Sequence, residues 1–288
     1  MISGKLKYYG ALVLLVFSLV FVLFYNTSPS EKNRLLIRNQ IDSLNRLIPK
    51  DSAASFNIHQ EEAFRLARKI SDPGKEAEIY IASGDYFNEW NEFKSAIVVY
   101  DSAISIAIRY ELKTQEVNAT CKKAGACYSD TSIIYAEKIY NEILEKTISW
   151  NDSVLIASCM EQLGIFYLAD TDYDKALKAF DKEYKYLNTD TAFYALGAYF
   201  NNMGFIFYKR AAFQKSIAYY QLSIEKRKIL NDNKAVADAK LNIGIAYKEM
   251  GFYELAMIHL LAACSYYEVQ KKNTELSSCF NTIANTQT

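Results

Sequence analysis

The chain reads as all-α, a solenoid of stacked helical hairpins preceded by one apolar amino-terminal helix. Three observations predict this class. A forty-residue period runs through the later part of the sequence, apolar residues fall at offsets of three and four within each period, and helix breakers are scarce, with 3 Pro and 10 Gly in 288 residues. A fixed period of 20 to 50 residues outranks every other signal in a sequence, because it changes the fold.

The period is carried by small and bulky residues in register. Ala96, Ala136, Ala176, Ser216 and Ala256 stand forty apart, and four residues after each comes Tyr100, Tyr140, Phe180, Tyr220 or Leu260. Twelve before the small position stands Gly84, Gly164, Gly204 or Gly244, followed three later by Phe87, Tyr167, Phe207 or Tyr247. The second unit offers Gly125 and Tyr128 instead, one residue late, which we read as a turn one residue shorter before Ala136.

Offsets of three and four place each pair on one helical face, so every unit is predicted to be two helices joined by a short turn. The gaps hold turn chemistry: NEWNEF, SDTS, ADTDYD, YKRAAF and EMGFYE. Asp130 or Asp172 is placed to cap a following helix, and Gly251 to end a preceding one. Small residues mark the close approach of two helices, and the aromatics fill the grooves beside them.

QLGIFYLADTDYDKALKAF, Gln162 to Phe180, carries Leu-Gly-x-x-Tyr in its first half and Ala-x-x-x-Phe in its second. This resembles the tetratricopeptide repeat, and the resemblance covers about two thirds of the chain, from Lys75 onward, in five full units and one broken one. The period exceeds the usual 34 residues and looks like the longer-helix variants of bacterial regulators and kinesin light chain. It departs at the family's tryptophan position, filled here by Tyr80, Phe200 and Lys240 among others, and most units lack the closing proline.

The resemblance implies a right-handed superhelix whose concave face, lined by first helices, grips a peptide or protein partner. Carried over residue by residue, the family's groove positions fall on Lys122 and Lys123, Glu161 and Gln162, Asn201, Asn202, Phe205 and Tyr208, Asn242, Ile245 and Lys248, and Asn281. Asparagines at such positions resemble clamps for a ligand's backbone, since one side chain supplies both donor and acceptor. The plainer reading is that they solvate or cap a helix face. The paired lysines of a carboxylate clamp are not reproduced across neighbouring units. Tyr194, Tyr199, Tyr219, Tyr266 and Tyr267 lie outside the frame, and inter-repeat packing accounts for them better than an aromatic docking surface.

Before the repeats, residues 1–30 hold Lys5 and Lys7 and then an uncharged run from Tyr8 to Tyr25. At 18 residues this run is long for a signal-peptide core and adequate for a membrane helix. No A-x-A spacing follows it, so we read an uncleaved anchor over a cleaved signal. Lysines ahead of the run orient the amino terminus to the cytoplasm, which puts the repeats in the periplasm or outside. Residues 31–72 show apolar residues at helical spacing (Leu36, Ile37, Ile41, Leu44, Ile48, then Ala63, Phe64, Ala67, Ile70) and read as a helical cap or degenerate repeat. Asp72, Pro73 and Gly74 mark the boundary to the repeats at 73–288. The final segment has the offsets of a first helix (Leu276, Cys279, Phe280, Ile283), and a solenoid cap and a truncated unit both fit it.

Composition excludes several functions. The 33 basic and 33 acidic residues cancel without a run of five like charges, which leaves no stripe for nucleic acid. Five scattered cysteines, Cys121, Cys127, Cys159, Cys264 and Cys279, form no metal-ligand spacing and read as buried thiols. Cys121 and Cys127 are six apart on a helix, roughly 120° around it, and cannot bridge. His59 and His259 are isolated, and no nucleophile elbow, phosphate loop or zinc motif appears. We expect no catalytic residue, cofactor or metal. The predicted function is a membrane-tethered, non-enzymatic scaffold binding protein or peptide in its groove. The alternative is the extracytoplasmic sensory region of a bacterial signalling protein with a kinase or DNA-binding output module. The Tyr-, Lys-, Asn- and Ile-rich usage suggests a low-GC bacterial genome.

Overall fold

The computed structural model describes residues 29–130, 132–187 and 191–287. Thirteen α-helices and one 3-10 turn, Ile48–Lys50, make up these residues, and no strand occurs among them. They form two compact units, one ending at Ser132 and the other beginning at Ile133.

The first unit holds α1 (Pro29–Leu47), α2 (Ala53–Ile70), α3 (Pro73–Glu89), α4 (Phe93–Arg109) and α5 (Lys113–Asp130). The second holds α6 (Ile133–Ser149), α7 (Ser153–Ala169), α8 (Tyr173–Tyr186), α9 (Phe193–Lys209), α10 (Phe213–Ile229), α11 (Asn233–Glu249), α12 (Tyr253–Val269) and α13 (Asn273–Gln287). From α3 onward, first helices begin at Pro73, Lys113, Ser153, Phe193, Asn233 and Asn273, and second helices at Phe93, Ile133, Tyr173, Phe213 and Tyr253. Both series keep the forty-residue period throughout.

That regularity corrects the reading of the second repeat. No slip occurs before Ala136: α6 starts where the period requires, and Ala124, twelve residues before Ala136, is fully buried at the glycine station. Gly125 and Tyr128 are half-buried, whereas Cys127 takes the station three residues on and is buried. Asp130 is likewise the last residue of α5 and not the cap of α6.

The small and bulky frame residues do what their spacing predicts. Ala96, Ala136, Ala176, Ser216 and Ala256 are buried, as are Tyr100, Tyr140, Phe180, Tyr220 and Leu260. A Cβ on Gly164 would lie 2.6 Å from the Phe180 ring, and one on Gly204 would lie 2.7 Å from Tyr220. At Gly84, Gly164, Gly204 and Gly244 the first helix therefore presses its glycine against the bulky residue of its own second helix. The Ser216 hydroxyl, standing where the other units have alanine, donates to the Gly204 carbonyl at 2.8 Å and so loses nothing by burial.

Helix ends recur with the same regularity. Left-handed residues close the helices at Ser71, Asn91, Glu111, Asn151, Thr171, Ala211, Asn231, Gly251 and Lys271, twenty or forty apart. Only at Gly251, φ 77°, is the residue a glycine. Asp72, Asp152, Asp172 and Asp232 cap the following helices through backbone amides, with Asp172 accepting from the Lys175 amide at 3.0 Å.

Ahead of the repeats, α1 and α2 are joined by the 3-10 turn. Ile41, Ile48, Phe56, Ala63 and Ile70 make one core with Ile79 and Tyr86 of α3, and Phe56 stacks on Tyr86 at 3.9 Å between ring centroids. The membrane placement is corrected. Among the described residues no helix is long and apolar enough to cross a membrane, and α1, at 19 residues, carries Glu31, Lys32, Arg34, Arg38, Asp42 and Arg46. The run from Tyr8 to Tyr25, read as the anchor, lies outside the described residues. All five cysteines are buried, as expected.

Candidate functional site

Helical register places the predicted groove positions on exposed or half-buried faces of the first helices. In the first unit those helices are α3 and α5, with α1 beside them. Asp42, Asn45 and Arg46 of α1, Glu78 and Asp85 of α3, and Asn118 and Lys122 of α5 line an open cleft of about 310 Å³. Its polar groups are largely spent on one another. The Lys122 ammonium meets both Asp85 oxygens at 2.8 and 3.0 Å, and Asp85 also accepts the Tyr100 hydroxyl at 2.7 Å. Lys75 bridges Asp42 and Glu78, the latter at 2.8 Å. Burial alone would lower the Lys75 ammonium, but these two carboxylates outweigh it and hold it above its ordinary value. The Asn45 carbonyl oxygen is buried and without a hydrogen-bond partner.

Lys122, predicted as a groove position, lines this cleft and makes an ion pair within the unit. Lys123 is on another face and pairs with Asp101 at 2.7 Å. Asn118 also lines this cleft and was not among the predicted positions, because counting from Gly125 instead of Ala124 shifts every position by one. The burial pattern of α5 identifies it, and the unbroken period of the small residues was the available signal.

In the second unit the first helices are α7, α9, α11 and α13. Asn201, Asn202, Phe205 and Tyr208 lie on one half-buried face of α9, and Asn242, Ile245 and Lys248 take the matching face of α11. Asn281 is exposed on α13. The side-chain amides of Asn201, Asn202 and Asn242 have no hydrogen-bond partner among the described residues. Around them stand aromatic and cationic groups. The Lys209 ammonium sits 5.2 Å from the Phe205 ring centroid, and Lys248 lies 3.5 Å from Glu249. Burial raises the Tyr208 hydroxyl, and the charge of Glu249 adds to it. Tyr208 also packs against the core formed by Ile217, Tyr220, Ile243 and Ala246, so it serves both groove and interior.

Glu161 and Gln162 occupy the corresponding face of α7, half-buried. Glu161 belongs with a buried acid that the sequence reading passed over. Glu183 of α8 is 1% exposed, and one carboxyl oxygen has no hydrogen-bond partner. Burial pushes its carboxyl up to about 9, with the charge of Glu161 as a second cause. Burial raises Glu161 as well, while Arg227 draws it down. Arg227 itself is buried against Gly197, holds Asp232 at 3.0 Å and stacks over Tyr194 at 4.2 Å. The signal was a lone charge at a core station: the equivalent residues are Ala103, Ile143, Ser223 and Ala263.

No group of histidine, cysteine or acidic residues among the described residues has the arrangement of a metal site. The tyrosines outside the frame divide: Tyr199 and Tyr267 are buried, Tyr219 stacks on Phe207 at 5.2 Å, and Tyr194 is 67% exposed.

No family model and no curated protein matches the chain. Solved structures do. The apo form of the quorum sensor NprR from B. thuringiensis aligns with a TM-score of 0.60 at 18% identity, over 97% of this chain and 80% of that one. NprR in complex with its cognate peptide NprX gives 0.56 at 17%, over 98% and 83%. BtubC from P. vanneervenii gives 0.59 at 17%, over 82% and 92%. A signal-transduction ATPase from Pyrococcus horikoshii with a tetratricopeptide repeat sensor gives 0.55 at 14%, over 90% of this chain and 48% of that one. The chain thus has the helical-repeat fold of tetratricopeptide-like proteins.

Proposed function

We propose that the chain is a non-enzymatic binding protein that takes an extended peptide, free or as a segment of a protein, on the first-helix face of its second unit. The observation that carries this reading is the set of asparagine amides on α9 and α11 that are half-buried and uncommitted. A half-buried amide without a partner is costly unless water or a ligand satisfies it. Two such groups forty residues apart, at Asn202 and Asn242, suit the repeating donor and acceptor of a peptide backbone. Phe205, Tyr208 and Ile245 supply apolar contact for the ligand's side chains, and Lys248 supplies a charge. The existence of a peptide complex of NprR, a structure of the same fold, supports the ligand class.

The test is selection of peptides from a displayed random library on the immobilised chain, followed by fluorescence anisotropy of a selected peptide. Asn202→Ala with Asn242→Ala is expected to weaken that peptide at least roughly tenfold, because each alanine removes hydrogen bonds worth about 1 kcal/mol. Undiminished binding by the double variant rules out the asparagine clamp.

A further inference from the structure

A second cleft lies on another part of the same unit, where α6, α7 and α8 meet. Its volume is about 280 Å³, room for roughly nine waters. Leu144 of α6, Met160 and Leu163 of α7 and Ala179 of α8 line it with apolar surface. Lys175, Lys178 and Lys182, spaced three and four apart on one face of α8, edge it.

Those three lysines are not equivalent. Lys175 is neutralised by Glu137 at 3.0 Å, and Glu137 also accepts the Tyr167 hydroxyl. Lys178 and Lys182 are exposed and have no ion-pair partner among the described residues. The carboxylates nearest to them in sequence do not serve: Asp174 is taken by Arg210, Asp181 pairs with neither lysine, and Glu183 is turned into the core. Like charges at an offset of four repel across one helix turn, so this pair weakens α8 in the absence of an anion. Nor is the arrangement a property of the repeat. The equivalent positions hold Ser95, Val98 and Ser102 on α4, Tyr135, Lys138 and Glu142 on α6, Lys215, Ala218 and Leu222 on α10, and Leu255, Ile258 and Ala262 on α12.

An apolar floor with two uncommitted ammonium groups at its edge suits a ligand with an apolar body and one anionic head. We propose that this cleft binds a small amphiphilic carboxylate, its chain on Leu144, Met160 and Leu163 and its head between Lys178 and Lys182. The asparagine face uses other positions of α7, α9 and α11, so the two sites stand independently of each other.

Titration of the full chain with sodium octanoate at low ionic strength tests this, read by saturation-transfer NMR and by thermal unfolding. We expect saturable binding and a rise in Tm. Lys178→Gln with Lys182→Gln should weaken the interaction at least roughly tenfold without lowering the ligand-free Tm, which relief of the repulsion between the two lysines should raise slightly. Octanol, which lacks the charge, and inorganic phosphate, which lacks the chain, should each fail to saturate the site, and Asn202→Ala should leave octanoate binding intact. The proposal is overturned by any of three results: no saturation up to roughly 10 mM octanoate, well above the millimolar range of weak sites; equal binding by the lysine variant; or equal binding of octanol or phosphate. An acidic peptide that binds through the two lysines where octanoate does not would also overturn it, by replacing the ligand class.

Discussion

Two residues before the glycine station, the first unit places Lys122 and the second places Asn202 and Asn242; one residue after it, the first unit places Asp85 and the second places Phe205 and Ile245. On α3 and α5 these positions close on each other as an ion pair with a tyrosine hydroxyl joined to it. On α9 and α11 they leave amides beside apolar groups, with no partner in the protein. The same backbone register thus produces a face that satisfies itself and a face that needs something else to satisfy it. A charge pair ties two first helices together, whereas the unpartnered amides are the groups on which the proposed peptide would sit.

The comparison can be tested at several strengths. The largest effect falls on what the units share. Tyr100→Ala in the first unit and Phe180→Ala in the second each empty a fully buried site under a helix contact, and each should cost about 3–5 kcal/mol by chemical denaturation. If the two variants differ widely, the frame is not equally important in both units.

Glu183 gives the next effect and belongs to the second unit alone. Folded, its carboxyl keeps its proton up to about pH 9, whereas glutamate in an unfolded chain ionises near about 4.3. Between those values the folded state holds the additional proton. Stability from this group is therefore complete below about pH 4.3 and is lost as pH rises toward 9. Glu183→Gln, which cannot ionise, should raise stability by on the order of a few kcal/mol at pH 8 and have little effect at pH 4. Equal melting shifts at both pH values would contradict the buried neutral acid.

Smaller effects separate the two faces directly. Lys122→Met breaks the pair with Asp85 and should cost about 1 kcal/mol, limited by its partial exposure. Asn202→Ala should change stability by less than about 0.5 kcal/mol, since no partner is lost. Effects of similar size test register: Ala124→Gly should cost about 0.5–1 kcal/mol through helix propensity. Gly204→Ala at the matching station should cost more, about 1–3 kcal/mol, because its new Cβ would meet the Tyr220 ring.

Much of the fold was legible because its signals are local and repeated. Small residues forty apart, bulky residues four later and Asp172 ahead of a helix each state a physical requirement that the structure meets, whereas Asp130, read as a cap, ends α5. What misled was the weight given to one residue type. Gly125 looked like the close-approach residue, but Ala124 is small enough to serve, and the error moved the groove position of Asn118 out of view. Of the left-handed helix ends only Gly251 was read from the sequence; Asn91, Asn151 and Asn231 carry a residue that tolerates this conformation, whereas Ser71, Glu111, Thr171, Ala211 and Lys271 carry side chains that do not signal it. Glu183 stood at a core station among alanine, isoleucine and serine, and its charge was the sign that went unused. The groove positions themselves were placed by register, whereas the partners of Lys122 depend on which carboxylate the neighbouring helix presents, and no single-helix pattern contains that.

The most direct test compares one selected peptide across two variants. Its dissociation constant should rise at least roughly tenfold for Asn202→Ala with Asn242→Ala and stay within about twofold for Lys122→Met. Loss of binding on breaking the Lys122 pair, with the asparagine variant unchanged, would put the ligand on the first unit and contradict the account.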